Sequence, residues 1–195
     1  VSVQKVYVNQ EICDRFIQQF SEQTSKLIVG NPFEETTDVG PLITPKEVNR
    51  VEEWVNEAVE EGAKLITGGK RISDTCFEPT ILFNPSEKSK VSINEIFGPV
   101  VCIYPFTNRD EAIKRANSLE VHFQAAVFTK NIDAALETSK KLNATAVMIN
   151  DNTAFRVDWM PFGGRDSSGL GMGGISYTIN EMTREKLIVF KSKSL

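Results

Sequence analysis

Between Val100 and Asn150 the sequence alternates apolar, β-rich runs with amphipathic helical ones, and this rhythm is the strongest constraint on the fold. Val100–Phe106 reads as a strand. Asn108 and Glu111 frame a helix carrying Ala112, Ile113 and Ala116, and Gln124–Thr129 is a second strand. Asn131 opens a helix with Ala135, Leu136 and Leu142, and Thr145–Asn150 is a third strand. A β-α-β-α-β order predicts a parallel sheet joined by right-handed crossovers.

The first half of the chain supplies further elements. Valine-rich residues 1–8 predict a strand, and Asn9 can cap a helix that carries Ile12, Phe16, Ile17 and Phe20 on one face. Gly30-Asn31-Pro32 is a strong breaker, so that helix is expected to end near it. Thr44, Pro45 and Glu47 have the pattern of an N-cap, a first-turn proline and a capping box. Val48, Val51, Val55, Ala58 and Val59 continue at helical spacing until Gly62. Lys64–Thr67 and Pro79–Phe83 predict short strands, the latter at an edge or beginning at its proline. Leu187–Lys191 reads as a terminal strand. These elements give an α/β domain over residues 1–182, a largely parallel twisted sheet with helices on both faces. A C-terminal arm over 183–195 is expected to pair with another subunit or domain, because an exposed apolar edge invites association.

Composition narrows the function. The chain has 22 Lys+Arg against 26 Asp+Glu, a net charge of −4, and 41% hydrophobic residues. That balance excludes intrinsic disorder and gives no basic patch for nucleic acid. No run approaches the ~18 apolar residues of a membrane span. Cys13, Cys76 and Cys102 form no Cys-x-x-Cys pair, and there is one histidine, His122, so no metal site is expected. An odd number of scattered cysteines suggests a reducing compartment, and the cytoplasm is the expected location. The valine-rich opening without Met or a signal-peptide pattern suggests part of a longer polypeptide.

Several motifs have competing readings. Gly169, Gly171 and Gly174 satisfy Gly-x-Gly-x-x-Gly, but Arg165-Asp166-Ser167-Ser168 precedes them where a dinucleotide fingerprint requires an apolar strand. A tight glycine-rich turn is favoured. His122 lacks the companions of a catalytic triad and reads as a structural histidine. Cys102 falls in a buried strand, Cys13 has no adjacent base, and Cys76 lies in a loop, so none is assigned a catalytic role. Glu52, Glu53, Glu57, Glu60 and Glu61 read as the solvated face of their helix. Glu95-Ile96-Phe97-Gly98-Pro99 places a carboxylate and an aromatic two residues apart, facing one way if the backbone is extended. Such a pair can bind ribose hydroxyls and a flat heteroaromatic ring; it also reads as a loop with an anchoring Phe.

The ordered set of motifs resembles the catalytic domain and C-terminal tail of the aldehyde dehydrogenase superfamily. The segments carrying the resemblance begin with Val1–Val8, Val29-Gly30-Asn31-Pro32, Gly40-Pro41-Leu42-Ile43, Gly62-Ala63-Lys64 and Glu78-Pro79-Thr80-Ile81-Leu82. Glu95–Val101, Ala125-Ala126-Val127-Phe128-Thr129, Val147-Met148-Ile149-Asn150, Pro161-Phe162-Gly163-Gly164 and Ser168-Gly169-Leu170-Gly171 complete them. The resemblance implies a cofactor site for NAD or NADP, with Glu95 on the nicotinamide-ribose hydroxyls and Phe97 beside the nicotinamide. It implies that Asp151–Trp159 shapes an aldehyde tunnel, with Phe155 and Phe162 as walls. Arg156 is a candidate for an acidic substrate group, or for a structural ion pair with Asp158.

In the family, a nucleophilic cysteine precedes the strand matching Val1-Ser2-Val3-Gln4, and the general base and cofactor domain lie further upstream. This implies that the intact enzyme works through a cysteine thioester and that the chain alone is inactive, with no catalytic residue of its own. A homodimer or homotetramer is implied. A non-catalytic interaction module and a coenzyme A-acylating dehydrogenase are the alternatives. The family often has a glycine where Val121-His122-Phe123 stands, so backbone strain is expected if His122 must adopt φ > 0.

Overall fold

A computed structural model describes residues 2–193. Their contacts group into two compact units, Ser2–Lys114 and the segment from Arg115 onward. Val1 and residues 194–195, at the ends of the expected first strand and arm, lie outside the described residues.

In the first unit, β1 (Lys5–Asn9), β4 (Val100–Phe106), β3 (Thr80–Phe83) and β2 (Lys64–Thr67) form one sheet in that order. β4 runs parallel to β1 and β3, and β2 adds on antiparallel. Alternation along β4 feeds two cores. Val100, Cys102 and Tyr104 face a cluster with Val48, Val51, Val55 and Ala58 of α2 (Pro45–Glu60) and Val91 of α3 (Lys90–Ile93). Ile103 joins Ile81, Val8 and Cys13 on the other face, beneath Phe16, Ile17 and Phe20 of α1 (Gln10–Thr24). Helices therefore cover both faces. Each fully buried aliphatic side chain contributes about 1.5–3 kcal/mol of transfer free energy.

Several local expectations change. Asn9 caps α1 by accepting from Glu11 N at 2.9 Å, but α1 stops at Thr24, well short of Gly30. Beyond it, Ile28 N donates to Asp38 Oδ2 and Val29 bridges Val39, so a tertiary loop closure draws the chain out of the helix. At α2, Thr44 makes no side-chain capping bond. Glu47 instead pairs with Arg50 at 2.7 Å; a charged partner on the next turn outcompetes the cap. Glu53 and Glu57 of the acidic face both reach Lys90, at 3.0 and 2.9 Å, tying α3 to α2. Pro79 immediately precedes β3, which is interior to the sheet.

In the second unit, β6 (Gln124–Val127) and β7 (Ala146–Ile149) are parallel and joined through α5 (Ile132–Lys141), a βαβ unit. Asn131 caps α5. Two-residue strands β5 (Val121–His122) and β8 (Arg165–Asp166) pair antiparallel, and α6 (Ile175–Met182) follows the glycine-rich loop. α4 (Arg109–Ala116), which begins in the first unit and runs across the boundary at Lys114, is capped by Asn108, which accepts from Asp110 N and Glu111 N. The alternation read from sequence is thus present, but its strands divide: β4 pairs with β1 and β3, and β6 pairs with β7. Leu187–Lys191 forms no strand and is exposed, since a strand requires a partner for its backbone.

Candidate functional site

The residues singled out from sequence fall into two groups, one in each unit. The first is the turn entering β4. Ile96 is fully buried between two exposed residues, Glu95 and Phe97. Its carbonyl accepts from Arg50 Nη2 at 2.6 Å. Arg50 is itself oriented by Glu47 and lies 4.4 Å above the Trp54 ring. Beyond Phe97, a Cβ on Gly98 would stand 2.8 Å from Val51 Cγ2, so only glycine lets the backbone pass α2 at this distance. Pro99 O accepts from Thr80 N, joining the turn to β3.

Phe97 has φ 48°, in the left-handed region, and is 73% exposed. The turn is therefore not extended, and the period-two argument that Glu95 and Phe97 face one way does not hold. Both side chains nevertheless project from a loop pinned on either side. A left-handed non-glycine residue costs on the order of 1–2 kcal/mol, and such strain concentrates where a side chain is held ready for a ligand. The donor set fits a nicotinamide nucleoside: a carboxylate that can accept from a vicinal diol, and an open aromatic face for a flat ring.

The second group surrounds Phe162. Arg156 lies with its Cζ 3.8 Å from the Phe162 ring centroid, a cation–π contact. The ring of Phe162, rather than Asp158, is the partner seen for Arg156. Phe123 meets Phe162 edge to face, with centroids 4.9 Å apart. Phe155 is half exposed on the turn after Asn152. The segment containing Phe155 and Arg156 departs from β7 at Asn150, which has φ 57°. Asn150 Oδ1 accepts from Thr129 N and its Nδ2 donates to Thr129 O, both at 2.9 Å. The structure thus brings together Arg156 and Phe162 and leaves Phe155 on the adjoining turn. An open depression of about 500 Å³ lies along Arg156, Asp158 and the face of α6 bearing Ile175, Ile179 and Met182.

The glycine-rich segment is a tight turn, as favoured from its sequence. Gly169, Gly171 and Gly174 all have positive φ. A Cβ on Gly174 would fall 2.6 Å from Met160 O. The first helical amide, Ile175 N, donates to Asp158 O, and Met172 N faces Glu181 Oε1. The donors face the chain's own acceptors, beside a carboxylate, which does not suit a phosphate.

His122 shows a constellation that the sequence reading missed. It is buried, at 8% exposure, with Nδ1 2.9 Å from Asp166 Oδ2. Asn143 Nδ2 donates to the same oxygen at 2.9 Å. Hydrogen bonds from Asn143 and His122 hold the Asp166 carboxyl below its usual range. His122 does not have positive φ; Asp166 does, at 54°. The condition for strain at His122 is therefore not met, and the left-handed residue of the pair is Asp166, 44 residues away. No local pattern links them.

Two of the cysteines are buried with thiols pushed away from the reactive thiolate form. Burial pushes the Cys102 thiol up to about 12. Burial and the neighbouring Asp14 charge raise that of Cys13. Among the described residues no group of three His, Cys, Asp or Glu side chains is arranged to hold a metal, and no helix is long and apolar enough to cross a membrane.

One unit thus carries a sheet covered on both faces and a pinned carboxylate–aromatic turn, the other a βαβ unit and a guanidinium stacked on an aromatic ring, and together they define an α/β protein. The chain belongs to the aldehyde dehydrogenase family, whose sequence profile matches residues 1–188. It is 45% identical over 189 residues to the 3-sulfolactaldehyde dehydrogenase of Priestia aryabhattai, covering 97% of this chain and 39% of that protein. Aldehyde dehydrogenase 21 from Physcomitrella patens, in complex with the reaction product succinate, superposes with a TM-score of 0.89 at 36% identity, over 92% of this chain and 37% of that one. The NADP complex of the glyceraldehyde-3-phosphate dehydrogenase GapN from Methanocaldococcus jannaschii gives 0.87 at 42% identity, over 91% and 38%. The chain spans about two fifths of the length of the relatives it matches.

Proposed function

We propose that this chain supplies one side of the nicotinamide site and part of the aldehyde tunnel of an NAD- or NADP-dependent aldehyde dehydrogenase acting on an aldehyde that bears an acidic group. The observation that carries this reading is the turn at Glu95–Pro99, with Ile96 buried and Phe97 exposed at positive φ. Glu95 accepts hydrogen bonds from the nicotinamide ribose, and Phe97 packs beside the nicotinamide ring. A nicotinamide bound there would supply the hydride acceptor for the oxidation. The chain's own part is to fix that ring and keep water from one side of it.

Phe155 and Phe162 form part of the tunnel wall, and Arg156 receives the acidic group. Three relatives support the last point, since sulfolactaldehyde, succinate and glyceraldehyde 3-phosphate each carry an anionic group away from the carbon that is oxidised. Guanidinium suits all three through paired donors. Residues 183–195 act as an oligomerisation arm, giving a homodimer or homotetramer, and the free cysteines fit the reducing cytoplasm.

The test is Glu95→Gln in the full-length dehydrogenase. Loss of the anionic acceptor is expected to lower kcat about 10-fold or more through poor ring positioning. Unchanged kinetics would remove Glu95 from the cofactor site.

A further inference from the structure

Phe162 is shared by two contacts, the cation–π stack with Arg156 and an edge-to-face contact with Phe123, whose ring plane lies at 79° to its own. Thr145 holds the backbone on both sides of this aromatic pair, its N donating to Phe123 O at 2.8 Å and its Oγ1 to Gly163 O at 2.6 Å. Phe162 is further pinned by reciprocal backbone hydrogen bonds with Gly173, at 3.0 and 2.7 Å. Phe123 directly follows β5, which β8 and the His122–Asp166 pair hold in place. The aromatic pair therefore has a fixed backbone, whereas Arg156 is exposed and restrained chiefly through the ring it covers.

We propose that Phe123 is a positioning residue for Arg156, acting through Phe162, and that this stack sets the preference for acidic over uncharged aldehydes. The inference rests on the reading of Arg156 as the anion-binding group. An unrestrained arginine loses rotamer freedom on capturing an anion, which weakens binding. A guanidinium already laid on a fixed ring loses less, and its paired donors are presented in one direction. Without Phe123, the Phe162 ring gains room to tilt and Arg156 loses its platform.

The test uses the full-length dehydrogenase with two aldehydes of equal chain length, succinic semialdehyde and butanal, and with succinate binding measured by calorimetry in the absence of cofactor. Phe123→Leu is expected to lower the ratio of kcat/KM for the acidic over the uncharged aldehyde about three- to fivefold, chiefly through KM. Succinate affinity should fall by a similar factor. Phe123→Tyr, which keeps the ring, should retain the wild-type ratio. Equal losses for both aldehydes, or an unchanged ratio, would overturn the proposal, since a merely structural residue moves both rates together. Arg156→Gln separates the two readings. If it abolishes the preference while Phe123→Leu leaves it intact, the positioning role alone fails. If Arg156→Gln leaves the preference unchanged, the anion-binding reading fails and this inference with it.

Discussion

Phe97 combines a strained backbone with an aromatic side chain that packs little of the core, and the combination separates stability from function. Truncating a core Phe to Ala costs about 3–5 kcal/mol. At Phe97, glycine would relieve a left-handed strain of about 1–2 kcal/mol and add about 0.5–1 kcal/mol of unfolded-state entropy. Phe97→Gly is therefore expected to leave the thermal midpoint unchanged or slightly raised while lowering kcat/KM. A fall of several degrees in Tm would show that the ring is a structural anchor. Asp166 offers a second check, through pH. Its folded pKa lies below the unfolded one because Asn143 and His122 donate to the carboxylate. Stability from this group is thus present above the unfolded value, near 4, and is lost as pH falls through the folded value. Asp166→Asn should flatten that acid limb in urea midpoints measured from pH 6 down to pH 2; parallel profiles for the two proteins would exclude the linkage. Sequence showed Asn9, Asn108 and Asn131 as caps because capping is local. The left-handed residues Phe97 and Asp166 were not legible, since their conformations are imposed by Arg50 on Ile96 and by His122 and Asn143.

Elements were read more successfully than their pairing. The helices over Val48–Ala58 and Ala112–Ala116 announce themselves by periodicity, and so does β4. Sequence order alone, however, does not say that β4 turns back to β1 and β3 while β6 pairs with β7. Strand choice depends on which faces the helices cover, a long-range property. The contact of α2 with the Glu95–Pro99 turn belongs to this scale. Gly98→Ala places a methyl 2.8 Å from Val51 Cγ2, and overpacking of this kind costs about 1–3 kcal/mol. Val51→Ala removes the opposing methyls and costs a similar amount alone. The double variant should be more stable than the sum of the two single changes predicts, by roughly 0.5–2 kcal/mol in a denaturation cycle. Strict additivity would mean that the close approach does not govern the turn.

At the scale of the whole chain, the distribution of thiols and of exposed apolar residues makes one combined prediction. Cys13 and Cys102 are buried with raised thiol pKa values, and among the described residues Cys76 has neither a histidine nor a metal cluster assigned to it. A polypeptide of these residues should oxidise no aldehyde with either NAD+ or NADP+, and turnover would show a nucleophile that neither sequence nor structure revealed. The same chain leaves Leu187, Ile188, Val189 and Phe190 exposed without a strand partner. Four consecutive apolar side chains beside unpaired backbone form the kind of edge that seeks pairing. In the full-length dehydrogenase, changing Val189 and Phe190 together to Lys should shift the sedimentation coefficient to a smaller species. If the arm serves only assembly, the smaller species should still bind NAD+ or NADP+, because the Glu95–Pro99 turn lies in the other compact unit. An unchanged sedimentation coefficient would exclude residues 187–190 as an assembly contact.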